Sequence, residues 1–248
     1  MIIDITKSGY QKGYLPKKGI GVFHPFFATA NAAFRKEALL KTGGFDPRCD
    51  TGEDIDLSIR IAKAGYELWF EPSAKIIHYH RYTLKGLLKQ WFDYGYGHAY
   101  LFRKHSREHR LQFYRYDLSP RNDNPFGIAC VLDIPFPVYG MIFLNSYHLM
   151  HFAVLIAFVA FLFSLITLGG VGLLVSIFSA SWYLGIRFDP RNPLKSLLFS
   201  GIRYLADGAY VLGGLLGGIK EGVIYLGATR SRKNSFERSA YRAGERDQ

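Results

Sequence analysis

The chain has 248 residues, enough for one large domain or two small ones, and carries a formal net charge of +11. Hydrophobic residues make up 49% of it and aromatic residues 16%, which argues against a nucleic-acid binder and suits a membrane protein with basic cytoplasmic flanks. The two cysteines, Cys49 and Cys130, offer neither a disulfide framework nor zinc-ligand spacing.

The opening stretch, MIIDITKSGYQKGYLPKK, lacks the apolar core of a secretory signal. Residues 1–110 read as a mixed α/β segment. FATANAAFRKEALLKTGGF joins a short apolar run to a helix over Lys36–Thr42, closed by Gly43 and Gly44. GEDIDLSIRIAKAGY, residues 52–66, predicts a second helix with Ile55, Ile59 and Ala62 on one apolar face, widened by Leu57, Ile61 and Ala64, and with Gly65 closing it. Glu53, Asp54 and Asp56 crowd its start, where unpaired backbone N–H groups and the macrodipole favour acids. Asp56 and Arg60 have the spacing of a surface ion pair. Capping alone accounts for these acids, and so does a catalytic site. YELWFEP alternates like a strand ending at Pro72, and AKIIHYH reads as another short strand. His105 and His109 read as solvated on one helix face.

Between Asp133 and Arg187 there is no Lys, Arg, Asp or Glu. A spanning helix needs about 20 apolar residues. HLMHFAVLIAFVAFLFSLITLGG supplies a first span over 148–168, and VGLLVSIFSASWYLGIRF a second from Val171, with Gly169 and Gly170 making the reversal. The expected layout is a linker or interfacial segment at 111–147, a transmembrane hairpin at 148–187, an amphipathic membrane-associated helix at 188–229, and a basic disordered tail at 230–248. His148 and His151 fall at the interface. The basic residues around 81–115, Arg187, Arg191, Lys195 and the tail belong on the cytoplasmic side of a plasma membrane.

The soluble segment carries a resemblance. The pieces ATANAAFR (28–35), GGFD (43–46), GEDIDLSIR (52–60) and EPSAKIIHYH (71–80), followed by LKQWFDYGYG and its adjacent His98, occur in order. Over residues 20–105 the chain resembles the C-terminal half of the catalytic domain of family 2 glycosyltransferases, which implies part of a GT-A, Rossmann-like fold. The resemblance implies that Asp54 is the base that deprotonates the acceptor hydroxyl, that Glu53 orients it, and that Asp56 is structural. It further implies that Asn31, Arg35, Gln90 and Trp91 contact substrate. His78, with His80 in reserve, would ligate a divalent metal (Mn or Mg) on the donor diphosphate. The implied partners are a nucleotide-sugar donor, a lipid-linked or polysaccharide acceptor, and the membrane. Gln90 is followed directly by Trp91, unlike the QxxRW of polymer-building relatives, so single transfers are expected.

In that family a nucleotide-binding half with a DxD-type metal motif comes before these pieces, and nothing like it precedes them here. The expectation is therefore an inverting, membrane-anchored transferase or its C-terminal half, with the donor-binding half supplied by a separate chain or a longer reading frame. The alternative is a noncatalytic membrane scaffold or an inactive remnant.

Overall fold

The computed structural model describes residues 2–4, 13–14, 26–71, 73–74, 76–79, 81–106, 109–116, 128–163, 165–185 and 188–227. The chain is mixed α/β. In chain order its elements are β1 (Ile2–Asp4), β2 (Gly13–Tyr14), a 3-10 turn at Thr29–Asn31, α1 (Lys36–Thr42), α2 (Glu53–Lys63), β3 (Trp69–Phe70), β4 (Ile77–Tyr79) and α3 (Leu84–His105). They continue with β5 (Arg110–Tyr116), β6 (Ile128–Pro135), β7 (Gly140–Leu144), α4 (Ser146–Leu162), α5 (Ile166–Gly185), α6 (Pro193–Glu221) and β8 (Ile224–Leu226). Two compact units result, 1–142 with 209–227 and 143–208 with 228–248.

In the first unit, β1 pairs antiparallel with β4, and β2 with β3. α1 ends as its sequence predicts: Gly43 takes a φ of 79°, and the Gly44 N–H donates to the Leu39 carbonyl at 2.8 Å. α2 buries Leu57, Ile59 and Ile61. Leu57 and Ile61 meet Leu68 in a small core, against which Phe27, Phe34, Leu39 and Tyr66 pack. Burying such a side chain contributes about 1.5–3 kcal/mol, so this core sets which face of α2 is left for the acids.

The segment 111–147, expected as a linker, contains strands. β5 and β6 form an antiparallel pair running from Arg110 opposite Pro135 to Tyr116 opposite Ile128, with an irregularity between Phe113 and Tyr114. The four-stranded sheet has the order β6-β5-β7-β8, and β8 lies parallel to β7. The part of α6 in this unit packs on α3 through glycine. A Cβ added to Gly95 would collide with the Tyr210 carbonyl, and one on Gly213 with the Phe92 carbonyl. On Gly217 it would lie 2.5 Å from the Tyr96 carbonyl. The glycine-rich end of α6 is thus a seam where two helix backbones touch.

In the second unit, α4 and α5 form a hairpin whose reversal differs from the expected one. α4 ends at Leu162 and α5 starts at Ile166, so Gly169 and Gly170 lie inside α5. Gly169 faces the Phe161 ring, and a Cβ on Gly172 would lie 3.0 Å from the Ala153 carbonyl. These residues serve close helix packing instead of a turn. The inner seam comprises Ala153, Ala157 and Ala160 on α4 and Gly169, Gly172, Ser176 and Ser179 on α5. Large side chains point outward, among them Phe158, Leu174 and Phe178, with 61%, 68% and 67% exposure. α5, with 20 residues, is long and apolar enough to cross a membrane; α4, with 17, is equally apolar but shorter. His148 is buried, its Nδ1–H donating to the Phe143 carbonyl at 2.7 Å. His151 accepts from the Tyr204 hydroxyl at 2.9 Å.

Candidate active site

The turn that leads into α2 is held by α3. Gly52, the residue before the helix, is buried with a φ of 81°, and a Cβ there would lie 2.5 Å from Leu101 Cδ1. Only glycine satisfies both constraints without strain. Thr51 Oγ1 donates to the Asp93 carbonyl at 2.8 Å, and a Cβ on Gly97 would collide with the same hydroxyl. Behind Gly52 lies His98, whose Nδ1 is 2.8 Å from the Tyr210 hydroxyl, itself 2.9 Å from that of Tyr225. Burial pushes the His98 imidazole down to about 4, so it is neutral at pH 7. In the sequence His98 was only the end of a matching segment, with no periodic signal for a role.

A glycine in the cap position leaves no side chain to cap α2, so the acids are not N-caps in the ordinary sense. Asp54 Oδ1 accepts from the Ile55 N–H at 2.8 Å. Thr29 Oγ1 donates to Glu53 Oε1 at 3.3 Å, and Asn31 Nδ2 donates to the Ala74 carbonyl at 2.7 Å. The 3-10 turn is therefore set against the acidic pair and tethered to the chain beyond β3.

Asp54 and Asp56 differ sharply although two residues apart. Asp56 is fully buried, and it accepts from Lys104 Nζ at 2.7 Å, from Arg60 Nη2 at 2.7 Å and from His105 Nε2 at 2.8 Å. Burial alone would raise its pKa; these donors outweigh that and hold the carboxyl well below the ordinary range. The expected surface pair with Arg60 is in fact internal, because α2 turns this face toward α3 and α1. Arg60 also donates to the carbonyls of Thr42 at 2.5 Å and Gly44 at 2.6 Å, satisfying the end of α1. His105, expected in solvent, is committed to Asp56, and His109 lies beyond the end of α3 with a φ of 52°.

Asp54, in contrast, has no cationic partner among the described residues. Burial, followed by the neighbouring Glu53 charge, pushes its carboxyl up to about 6. A half-buried carboxylate with that value is still mostly ionised at pH 7 and accepts a proton readily, which suits a general base.

The remaining expected site residues are more dispersed. Arg35 is exposed and sits 3.9 Å from Glu37. Gln90 donates to the Tyr94 hydroxyl at 2.9 Å, and Trp91 packs edge-on against Tyr94 and Tyr210. His78 pairs through its backbone with Ile3, but its side chain lies outside the described residues, as does all of His80.

Asp46, Cys49 and Asp56 bring potential ligand atoms within 4.8 Å of one another. This set does not fit a divalent cation. The Lys104 ammonium already lies 2.6 Å from Asp46 and 2.7 Å from Asp56, with Arg48 and Arg60 adding to the positive charge. Burial, with the Asp56 charge behind it, pushes the Cys49 thiol up to about 11, so it keeps its proton. Lysine does here what a metal would do elsewhere.

The sequence profile described as glycosyl transferase family group 2 matches residues 14–204. The chain belongs to this family. Among its relatives, the succinoglycan biosynthesis protein ExoA of Rhizobium meliloti (strain 1021) is 39% identical over 75 residues, 30% of this chain and 23% of ExoA. The O-antigen chain rhamnosyltransferase WbaN of Salmonella anatum is 30% identical over 82 residues, 33% of this chain and 26% of WbaN. The pre-mycofactocin glycosyltransferase of Mycobacterium tuberculosis is 36% identical over 70 residues, 28% of this chain and 15% of that protein. The chain thus spans about a quarter or less of the length of these family 2 relatives. No solved structure matches it significantly.

Proposed function

We propose that the chain supplies the acceptor side of a membrane-anchored, inverting glycosyltransferase, with Asp54 as the base. The observation that carries this is the contrast within α2: Asp56 is neutralised by Lys104 and Arg60, whereas Asp54 keeps a raised proton affinity and has no cationic partner among the described residues. In the proposed step an acceptor hydroxyl oxygen bonds to the anomeric carbon of the sugar. The bond from that carbon to the diphosphate breaks, and the hydroxyl proton passes to the Asp54 carboxylate. Glu53 orients the acceptor, and Asn31, Arg35, Gln90 and Trp91 are the proposed substrate contacts. A divalent cation (Mn or Mg) bound through His78 and His80 would neutralise charge on the leaving diphosphate.

The membrane assignment rests on the inverted packing of the second unit. Small residues face inward and large apolar ones outward, the pattern that favours helix contact in lipid and leaves an apolar surface unsuited to water. The basic flanks support placing the anchor in the plasma membrane with the site and tail in the cytoplasm. Anchoring there raises the local concentration of a lipid-linked acceptor.

Membranes containing the full-length enzyme, supplied with labelled nucleotide-sugars and a lipid extract as acceptor, test the base. Asp54→Asn is expected to reduce transfer by about 100-fold or more at unchanged membrane content. Retained turnover sinks the assignment and leaves the scaffold reading.

A further inference from the structure

We propose that Thr29 is a positioning residue that holds the Glu53 carboxylate beside Asp54 and so sets the field in which the base works. The inference deepens the reading of Asp54 as the base and rests on it. Thr29 opens the 3-10 turn and addresses both acids at once: its hydroxyl donates to Glu53 Oε1 at 3.3 Å, and its backbone N–H is directed at the Asp54 carboxylate. The turn has little freedom to drift. The Asn31 N–H bonds the Ala28 carbonyl at 3.0 Å, and the Asn31 side chain bonds the Ala74 carbonyl at 2.7 Å.

Two adjacent carboxylates with nothing between them and water tend either to share a proton or to repel one another out of position. Among the described residues the charged group facing Asp54 is Glu53, and the other polar groups on it are the N–H groups of Ile55, Thr29 and Asp54 itself. A hydroxyl that fixes Glu53 therefore decides the field in which Asp54 works. Valine at position 29 keeps the backbone N–H and nearly the same shape but loses the donor. Glu53 then swings toward solvent, and Asp54 is relieved of a neighbouring negative charge.

The test is a carboxyl titration of the full chain in detergent micelles, using aspartate labelled with carbon-13 at the side-chain carboxyl. The Asp54 signal is the one lost in Asp54→Asn. In Thr29→Val its midpoint is expected to fall by about half a pH unit or more, the scale of losing one neighbouring charge at a partly solvated site. Thr29→Ser, which restores the hydroxyl, is expected to return it to the parent value. In a Glu53→Gln background the valine substitution is expected to move the midpoint no further. An unchanged or raised midpoint in Thr29→Val overturns the proposal, as does an equal fall with Glu53 already neutralised. Transfer by Asp54→Asn is read separately: if that variant keeps turnover, the base assignment fails, while the titration still decides whether Thr29 governs the pair.

Discussion

Asp56 Oδ1 lies 2.7 Å from Lys104 Nζ, joining the helix that carries the candidate base to the last turn of α3. The same ammonium reaches Asp46 Oδ2 at 2.6 Å. Lys104→Met removes a cation shared by two carboxylates and leaves the buried one undercompensated. Arg60 and His105 stay on Asp56, so the expected loss is about 2–4 kcal/mol, read as a lowered unfolding midpoint of the full chain in detergent. Lys104→Arg is expected to recover most of it. A Lys104→Met protein as stable as the parent would show that the latch is ornamental.

The acids of α2 and of the connection before it give opposite pH dependences. Asp46 is lowered by its bonds to Lys104 and Arg48, and Asp56 by donors that outweigh its burial. Stability from these two is fully present above the ordinary carboxylate range, near pH 4, and is lost as pH falls. Asp54 is raised to about 6, so its contribution is present below about pH 4 and is lost as pH rises through 6. Asp54→Asn is therefore expected to be more stable than the parent at pH 7 by about 1–3 kcal/mol. The two melting curves should converge below pH 4. A variant less stable at pH 7 would mean that the acid stabilises α2 after all.

Two glycines of α6 should respond in opposite directions. Gly213→Ala forces a methyl into the Phe92 carbonyl and is expected to cost at least about 1–3 kcal/mol by overpacking. Gly201 has nothing within 4 Å of an added Cβ. Gly201→Ala is expected to stabilise the helix by about 0.5–1 kcal/mol. Thermal midpoints of the pair, measured side by side, check the seam against simple helix propensity.

Leu174, near the middle of α5 and 68% exposed, distinguishes lipid from water as the surroundings of the hairpin. In lipid, Leu174→Arg is expected to cost about 2.5–3.5 kcal/mol for insertion and to shift protein from the carbonate-resistant membrane fraction to the soluble one. On a water-facing surface the same change stays within about 0.5 kcal/mol. An undiminished membrane fraction, with the parent equally extractable, would contradict the anchor.

Much of α1 and α2 was legible because their signals are local. Apolar spacing and closing glycines act within a few residues, and the structure places α1 at Lys36–Thr42 with Gly43 left-handed. The order of family pieces pointed to the acidic pair for the same reason. Sequence reasoning gave Asp56 a structural role but placed its pair with Arg60 at the surface. It could not see Lys104, 48 residues further on, because nothing in the spacing of two distant charges says that they meet. Thr29 was equally hidden, one hydroxyl in a run of small residues.

The glycines mark the division most clearly. As sequence, Gly169 and Gly170 interrupt an apolar run and suggest a turn, and Gly213, Gly214, Gly217 and Gly218 fall in the expected amphipathic membrane-associated helix with no sign of what they touch. Glycine permits both tight reversal and close packing, and composition cannot tell one from the other. By itself the sequence determined the family, the helix-forming periodicities and the presence of apolar helices. The tertiary structure decided which acid is compensated by cations and which keeps a raised proton affinity, and where small residues become contact seams, because both depend on neighbours brought together only by folding.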